Sequence, residues 1–184
     1  TTGAIIEMID FPGLKEGSAK NGVFTGNSMG WIKSTDALAL VVRNFQDDLA
    51  GDPTPLRDID EISTELLLAD LILVENRLEK IAWFHKRGQK TNLLALEEKA
   101  LRRIEEHLNN NNPIRDIDLD EDEEKTIRGF QFLTKKPFLV ILNSDGAAFG
   151  RNAELITGME SRHNVIEFAG RFEMELSRLN DEEA

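Results

Sequence analysis

FLVIL, residues 138–142, sets five apolar residues side by side with no polar alternation. A strand with one wet face alternates, whereas a strand covered on both faces does not, so this run predicts a parallel sheet with helices on each side. Three other short apolar runs read as strands: Ile5–Ile9, Leu38–Val42 and Val165–Phe168. The fold class that follows is α/β.

Between the second and third of these strands, in chain order, the pattern changes. A breaker cluster, GDPTP at 51–55, is followed by apolar residues at helical spacing: Ile59, Ile62, Leu66, Ala69, Leu73, Leu78 and Ile81. This predicts one long amphipathic helix. KRGQKTN, 86–92, breaks it, with Gly88 supplying backbone freedom and Thr91 or Asn92 able to cap a second helix that carries Leu94, Leu101, Ile104 and Leu108. Two long helices joined by a short turn predict an antiparallel, coiled-coil-like hairpin. Asp118 or Asp120 then caps a third, acidic-headed helix leading to Phe130. The expected organisation is residues 1–55 as a first sheet segment, 56–128 as a helical insertion and 129–184 as the rest of the sheet.

The net charge of −12 repels phosphate backbones and anionic membranes on average, so any contact with nucleic acid has to be local. The absence of cysteine excludes disulfides and thiolate metal sites and fits a cytoplasmic setting. No apolar run approaches the length that spans a bilayer, and no membrane partner is expected. An apolar run opens the chain at Ile5 without an initiating methionine, which suggests a piece of a longer protein.

Asp10 ends the first apolar run, and Gly13 stands three residues on. At the carboxyl edge of a nucleotide-binding sheet, a D-x-x-G corner holds a water on magnesium through the Asp and senses the terminal phosphate through the Gly N–H. By spacing alone, a strand ending before an ordinary Pro-Gly turn is the commoner reading.

The order and spacing of DFPGLKEGSAKNGVFTGN, STDALALVVRNFQDD, DIDEISTELLLADLILVENRLEKI and GFQFLTKKPFLVILN resemble the YchF, or Obg-like ATPase, family of translation-factor-related P-loop NTPases, from about Ile5 to Glu183. ISTELLLADL is the most specific part. The resemblance implies a Ras-like domain with a coiled-coil insertion, a purine nucleotide, GTP or ATP, and Mg2+ reached through water by Asp10. It also implies a hydrophobic residue, here Leu14, where Ras-like proteins place a water-orienting glutamine, and hence slow or partner-stimulated hydrolysis. Nucleotide contacts are implied at Asp10, Gly13, Asn143, Ser144, Ala169 and Gly170.

The sequence departs from the family pattern in three places. G-x-x-x-x-G-K-[ST] is nowhere in the chain, so by itself the chain is expected to bind nucleotide weakly and to be inactive. Of the family's base-reading N-x-x-E, Asn143 is present, but Gly146 falls at the carboxylate position and Asp145 lies one residue early. The switch loop after Gly13 is one residue longer than the pattern. The chain also stops before the family's C-terminal TGS domain could begin. A degenerate relative that keeps the hairpin as a protein or RNA contact is the alternative.

KIAWFHKRGQK, 80–90, gathers Lys86, Arg87 and Lys90 beside Trp83 and Phe84. The cluster reads either as a solvated helix end, with cations near its C-terminus, or as a grip on ribosomal RNA by charge and stacking. The acidic run 116–124 fails as a calcium loop, since Glu123 and Gly129 fall where Gly and Glu are required. His85, His107 and His163 sit in no metal-binding spacing, and there is no G-x-S-x-G elbow. An incomplete sheet predicts an exposed apolar edge and self-association of the chain.

Overall fold

The computed structural model of the chain describes residues 6–11 and 27–179. Three of the expected strands form: β1, Leu38–Asn44, β2, Phe138–Ser144, and β3, Asn164–Phe168. They make one parallel sheet in the order β1-β2-β3. Val41, Ile141 and Ile166 are neighbours across it, and two residues further on so are Arg43, Asn143 and Phe168.

The run Ile5–Ile9 was expected as a strand, but residues 6–9 form none, and Ile6 and Met8 are 78% and 89% exposed. An extended segment satisfies its backbone N–H and C=O groups by pairing, and none of the described strands pairs with it. Phe11, just beyond, packs on the core below the sheet.

Six α-helices, α1, Asn27–Ser34, α2, Pro55–Lys86, α3, Asn92–Asn109, α4, Glu121–Ile127, α5, Ala153–Glu160, and α6, Gly170–Leu176, and two short 3-10 helices, Ile114–Asp116 and Arg128–Phe130, accompany the sheet among the described residues. Pro55 starts α2, where its fixed φ and missing N–H cost nothing. At 32 residues α2 runs about 48 Å, longer than the sheet it leaves. Its apolar stripe therefore serves two cores. Ile59 and Leu66 pack under the sheet with Val42, Phe138, Val140, Leu142 and Met159. Val74, Leu78 and Ile81 pack with Ala100, Leu101 and Ile104 of α3.

The turn between α2 and α3 is built as its sequence dictates. Gly88 takes φ +77°, which a side chain would resist, and the Thr91 hydroxyl accepts the Leu94 N–H at 3.1 Å. Arg77 then forks onto Glu97 at 2.7 and 2.8 Å, tying the two helices together. Asp120, one of the two residues expected to cap the third helix, does so through a capping box with Glu123. The buried Glu123 carboxylate also meets Arg103 and Lys99 of α3.

Two side chains fasten the segment before β2. Asp70, 2% exposed, accepts the Leu133 N–H at 2.9 Å and both the Thr134 N–H and hydroxyl at 2.7 Å. Burial raises its pKa, and the bonds from Thr134 oppose that. Lys136 caps the C-terminus of α1 through the carbonyls of Ile32, Lys33 and Thr35.

Cover on both faces of the sheet was expected from the continuous apolar runs. Burial instead alternates along β2, and the buried cluster lies on one face only. On the other face Val41, Ile166 and Phe168 are 61%, 48% and 42% exposed. Among the described residues nothing buries that face, so the apolar run there records an affinity for cover, not cover itself.

Candidate functional site

Parallel strands bring their carboxyl ends to one edge, the usual place for a ligand crevice in an α/β sheet. Here that edge carries Arg43 and Asn44 of β1, Asn143 and Ser144 of β2, and Glu167 and Phe168 of β3. The Asn143 Oδ1 accepts the backbone N–H of Gly170 at 3.1 Å. Two segments implied as nucleotide contacts, 143–144 and 169–170, thus meet in space. Gly170 suits this approach, since a Cβ there would stand 3.0 Å from Asn143 Oδ1 and 3.1 Å from the Phe168 ring and would press on both. The Asn143 amide nitrogen keeps its two donors for other partners.

Ser144 is 2% exposed and its hydroxyl is fully engaged. It donates to Glu167 Oε1 at 2.7 Å and accepts from the side-chain amides of Asn44 at 3.0 Å and Asn152 at 3.3 Å. Glu167 also accepts from Asn152 at 2.5 Å and from the Gly150 N–H at 3.0 Å. Burial pushes the Glu167 carboxyl up, yet hydrogen bonds from Ser144, Asn152 and Gly150 outweigh it and hold the pKa below the usual range. One carboxylate therefore fixes the course of the loop from Ser144 to Asn152.

Sequence reasoning missed Glu167, because an acidic residue inside an apolar run carries no motif. The interrupted alternation of β3 was the available signal, since the glutamate falls on the buried-face parity of Val165. Arg43 was missed as well. Its guanidinium donates to the carbonyls of Phe45, Ala50, Gly51 and Asp52 and so closes the loop after β1. Asp47 turns the same loop by accepting the Ala50 and Leu49 N–H groups, which lower its pKa.

Asp145 turns back on its own loop, where its carboxylate accepts the Ala147 N–H at 2.5 Å. Gly146 has open space where a Cβ would stand. Asp10 is exposed in an unpaired segment, and among the described residues it belongs to no group of acidic or histidine side chains able to hold a metal. The described residues alone therefore do not make a magnesium site. Gly13 and Leu14 lie outside the described residues.

At the far end of α2, Arg87 lies over the Trp83 ring at 4.1 Å, and Trp83 is 48% exposed. Lys86 and Lys90 are exposed beside them. Trp83 also meets the Phe84 ring edge-on at 5.3 Å, so the exposed end of the helix combines a cation–π pair with an aromatic pair. No described helix is long and apolar enough to cross a membrane.

No protein-family model matches the chain. It is 34% identical over 186 aligned residues to the ribosome-binding ATPase YchF of Pasteurella multocida, covering 97% of this chain and 51% of that protein. To the protein of the same name from Bacillus subtilis it is 28% identical, over 100% of this chain and 52% of that one. Its fold matches the structure of the Schizosaccharomyces pombe YchF GTPase with a TM-score of 0.72 and 27% identity, across 86% of this chain and 46% of that one. The chain spans about half the length of the curated relatives it matches. Matches of that extent, in sequence and in fold, identify the chain as a member of the YchF family.

Proposed function

We propose that this chain is the greater part of the nucleotide-binding domain of a cytoplasmic, ribosome-associated NTPase, with α2 to α4 (roughly 56–128) as an inserted antiparallel hairpin. Residues 1–55 and 129–184 are then the two parts of the NTPase domain itself. The observation that carries the reading is the joining of Asn143 to Gly170, which sets an amide and a backbone turn at the carboxyl edge of a parallel sheet. In the whole protein Asn143 holds the purine edge, Ala169 and Gly170 line it with backbone, and Ser144 positions the loop from beneath. Asp10 serves the magnesium ion through water, and Gly13 the terminal phosphate. The relatives' names differ on ATPase and GTPase, and with Gly146 at the base-reading position the choice of purine falls to other contacts.

At the hairpin tip Lys86, Arg87 and Lys90 supply charge, and the Arg87–Trp83 pair supplies a stacking surface, for RNA of the ribosome. The bared sheet face leads the chain, on its own, to self-associate. The test is titration of ATP and of GTP, with magnesium, against the intact protein and its Asn143→Ala variant. Loss of about tenfold or more in affinity supports the reading, and equal affinity of the two proteins overturns it. A second reading has its own observation: Gly146 leaves the base-reading carboxylate absent while Asp145 is committed to its own turn. On that reading the protein is a non-catalytic relative that works through its hairpin, and absence of nucleotide binding with ribosome binding retained would establish it.

A further inference from the structure

At the opposite edge of the sheet, where β2 and β3 begin, α2, the turn after α3 and the α5–β3 turn enclose a cavity of about 580 Å³. That falls within the range of about 300–1,000 Å³ typical of small-molecule sites. Its floor is the buried Phe138. Two polar groups flank this ring, and both are short of partners. Arg115, half-buried, lies 5.6 Å over the ring and donates to the Thr134 carbonyl at 3.2 Å, with no ion pair among the described residues. His163 meets the same ring edge-on at 5.7 Å, and its Nδ1 is buried with no hydrogen-bond partner.

The other charged groups facing the cavity, Asp60 of α2, Asp116 beside Arg115, and Arg162 beside His163, are exposed, so solvent screens them. Two half-buried basic side chains therefore line the cavity: a guanidinium with spare donors, and an imidazole whose Nδ1 is closed to solvent and without a partner. A phosphate answers both. Its oxygens accept from the guanidinium fork, and its charge offsets the repulsion between that group and a protonated imidazole beside it.

We propose that this cavity binds a small phosphorylated molecule, with the phosphate seated between Arg115 and His163 and the organic part in the remaining volume. The site is separate from the carboxyl-edge residues Asn143 and Gly170, and it stands whether or not those bind a nucleotide.

Burial and then the nearby Arg115 hold the His163 pKa below its ordinary value, with Asp60 pulling the other way. An anion in the cavity reverses the Arg115 contribution, so binding raises that pKa. The experiment follows the ring protons of the three histidines by NMR pH titration of the chain, in inorganic phosphate, in glycerol phosphate, and in chloride at matched ionic strength. An upward displacement of His163 by about half a unit or more, saturating at millimolar ligand and leaving His85 and His107 in place, is the expected result. A response to inorganic phosphate identifies the free ion as sufficient, and a response to glycerol phosphate alone identifies a phosphate monoester. Equal titration of His163 in all three solutions, or equal displacement of all three histidines, overturns the proposal. Arg115→Gln is expected to abolish the displacement. Because Arg115 also holds the Thr134 carbonyl, Arg115→Lys is the second variant, which keeps a donor for that carbonyl but loses the fork, and is expected to reduce the displacement several-fold in a folded chain; full displacement in both variants also overturns the site.

Discussion

Asn143 accepts the backbone N–H of Gly170 at 3.1 Å across 27 residues of sequence, and so joins the end of β2 to the turn that leaves β3. The contact is tight because position 170 has no Cβ. In Gly170→Ala the new methyl would press on Asn143 Oδ1 at 3.0 Å and on the Phe168 ring at 3.1 Å. Phe168 is part-exposed and able to yield, whereas Asn143 moves only by giving up the bond. The expected result is a loss of about 1 kcal/mol in urea unfolding and, on the proposed function, a larger proportional loss of nucleotide affinity in the intact protein.

Gly146 offers a complementary test. Nothing stands within 4 Å of where its Cβ would be, so Gly146→Glu should leave the unfolding midpoint unchanged. On the proposed function it returns a carboxylate to the base-reading position, and the ratio of ATP to GTP affinity should change severalfold. An unchanged ratio would place base selection elsewhere.

Glu167 links the same edge to pH. Its folded pKa lies below the ordinary value, so its contribution to stability is present above the unfolded pKa and is lost as pH falls through the folded one. Glu167→Gln keeps the shape but loses the charge and one acceptor. The variant should be less stable than the parent by about 1–2 kcal/mol near neutral pH, with the gap closing in acid; parallel stability curves would contradict this.

Asp70 holds Leu133 and Thr134 from inside the core. Removing it in Asp70→Ala leaves two backbone N–H groups without an acceptor, and denaturant unfolding should show a cost of about 3 kcal/mol. Exchange of the Leu133 and Thr134 amides should accelerate with it.

At the tip, Lys86, Arg87 and Lys90 are exposed and make no described ion pair. Reversing all three to glutamate should leave the melting temperature within about 2 °C, since surface changes rarely move stability far. On the proposed function, binding of the intact protein to ribosomes should fall at least tenfold and lose most of its salt dependence.

Much of this molecule was legible in its sequence because local physics wrote it there. The period of α2, a cap at Thr91 or Asn92, a cap at Asp118 or Asp120, and three apolar runs each act within a few residues of themselves. The family was legible as well, since ordered motifs survive in a linear string.

What the sequence by itself could not decide was which apolar surface would find a partner. Ile5–Ile9 reads as a strand and, over its described residues, is none; FLVIL reads as covered on both faces and is buried on one. Glu167, Arg43 and Asp70 each act on residues brought near by folding, and no local pattern marks them. Propensity and periodicity are properties of neighbours along the chain, and pairing, burial and long-range hydrogen bonds are properties of neighbours in space. The long helices α2 and α3, the short α4 and three of the strands were therefore determined by the sequence alone, and the edge where Asn143 meets Gly170 was decided only when the strands aligned.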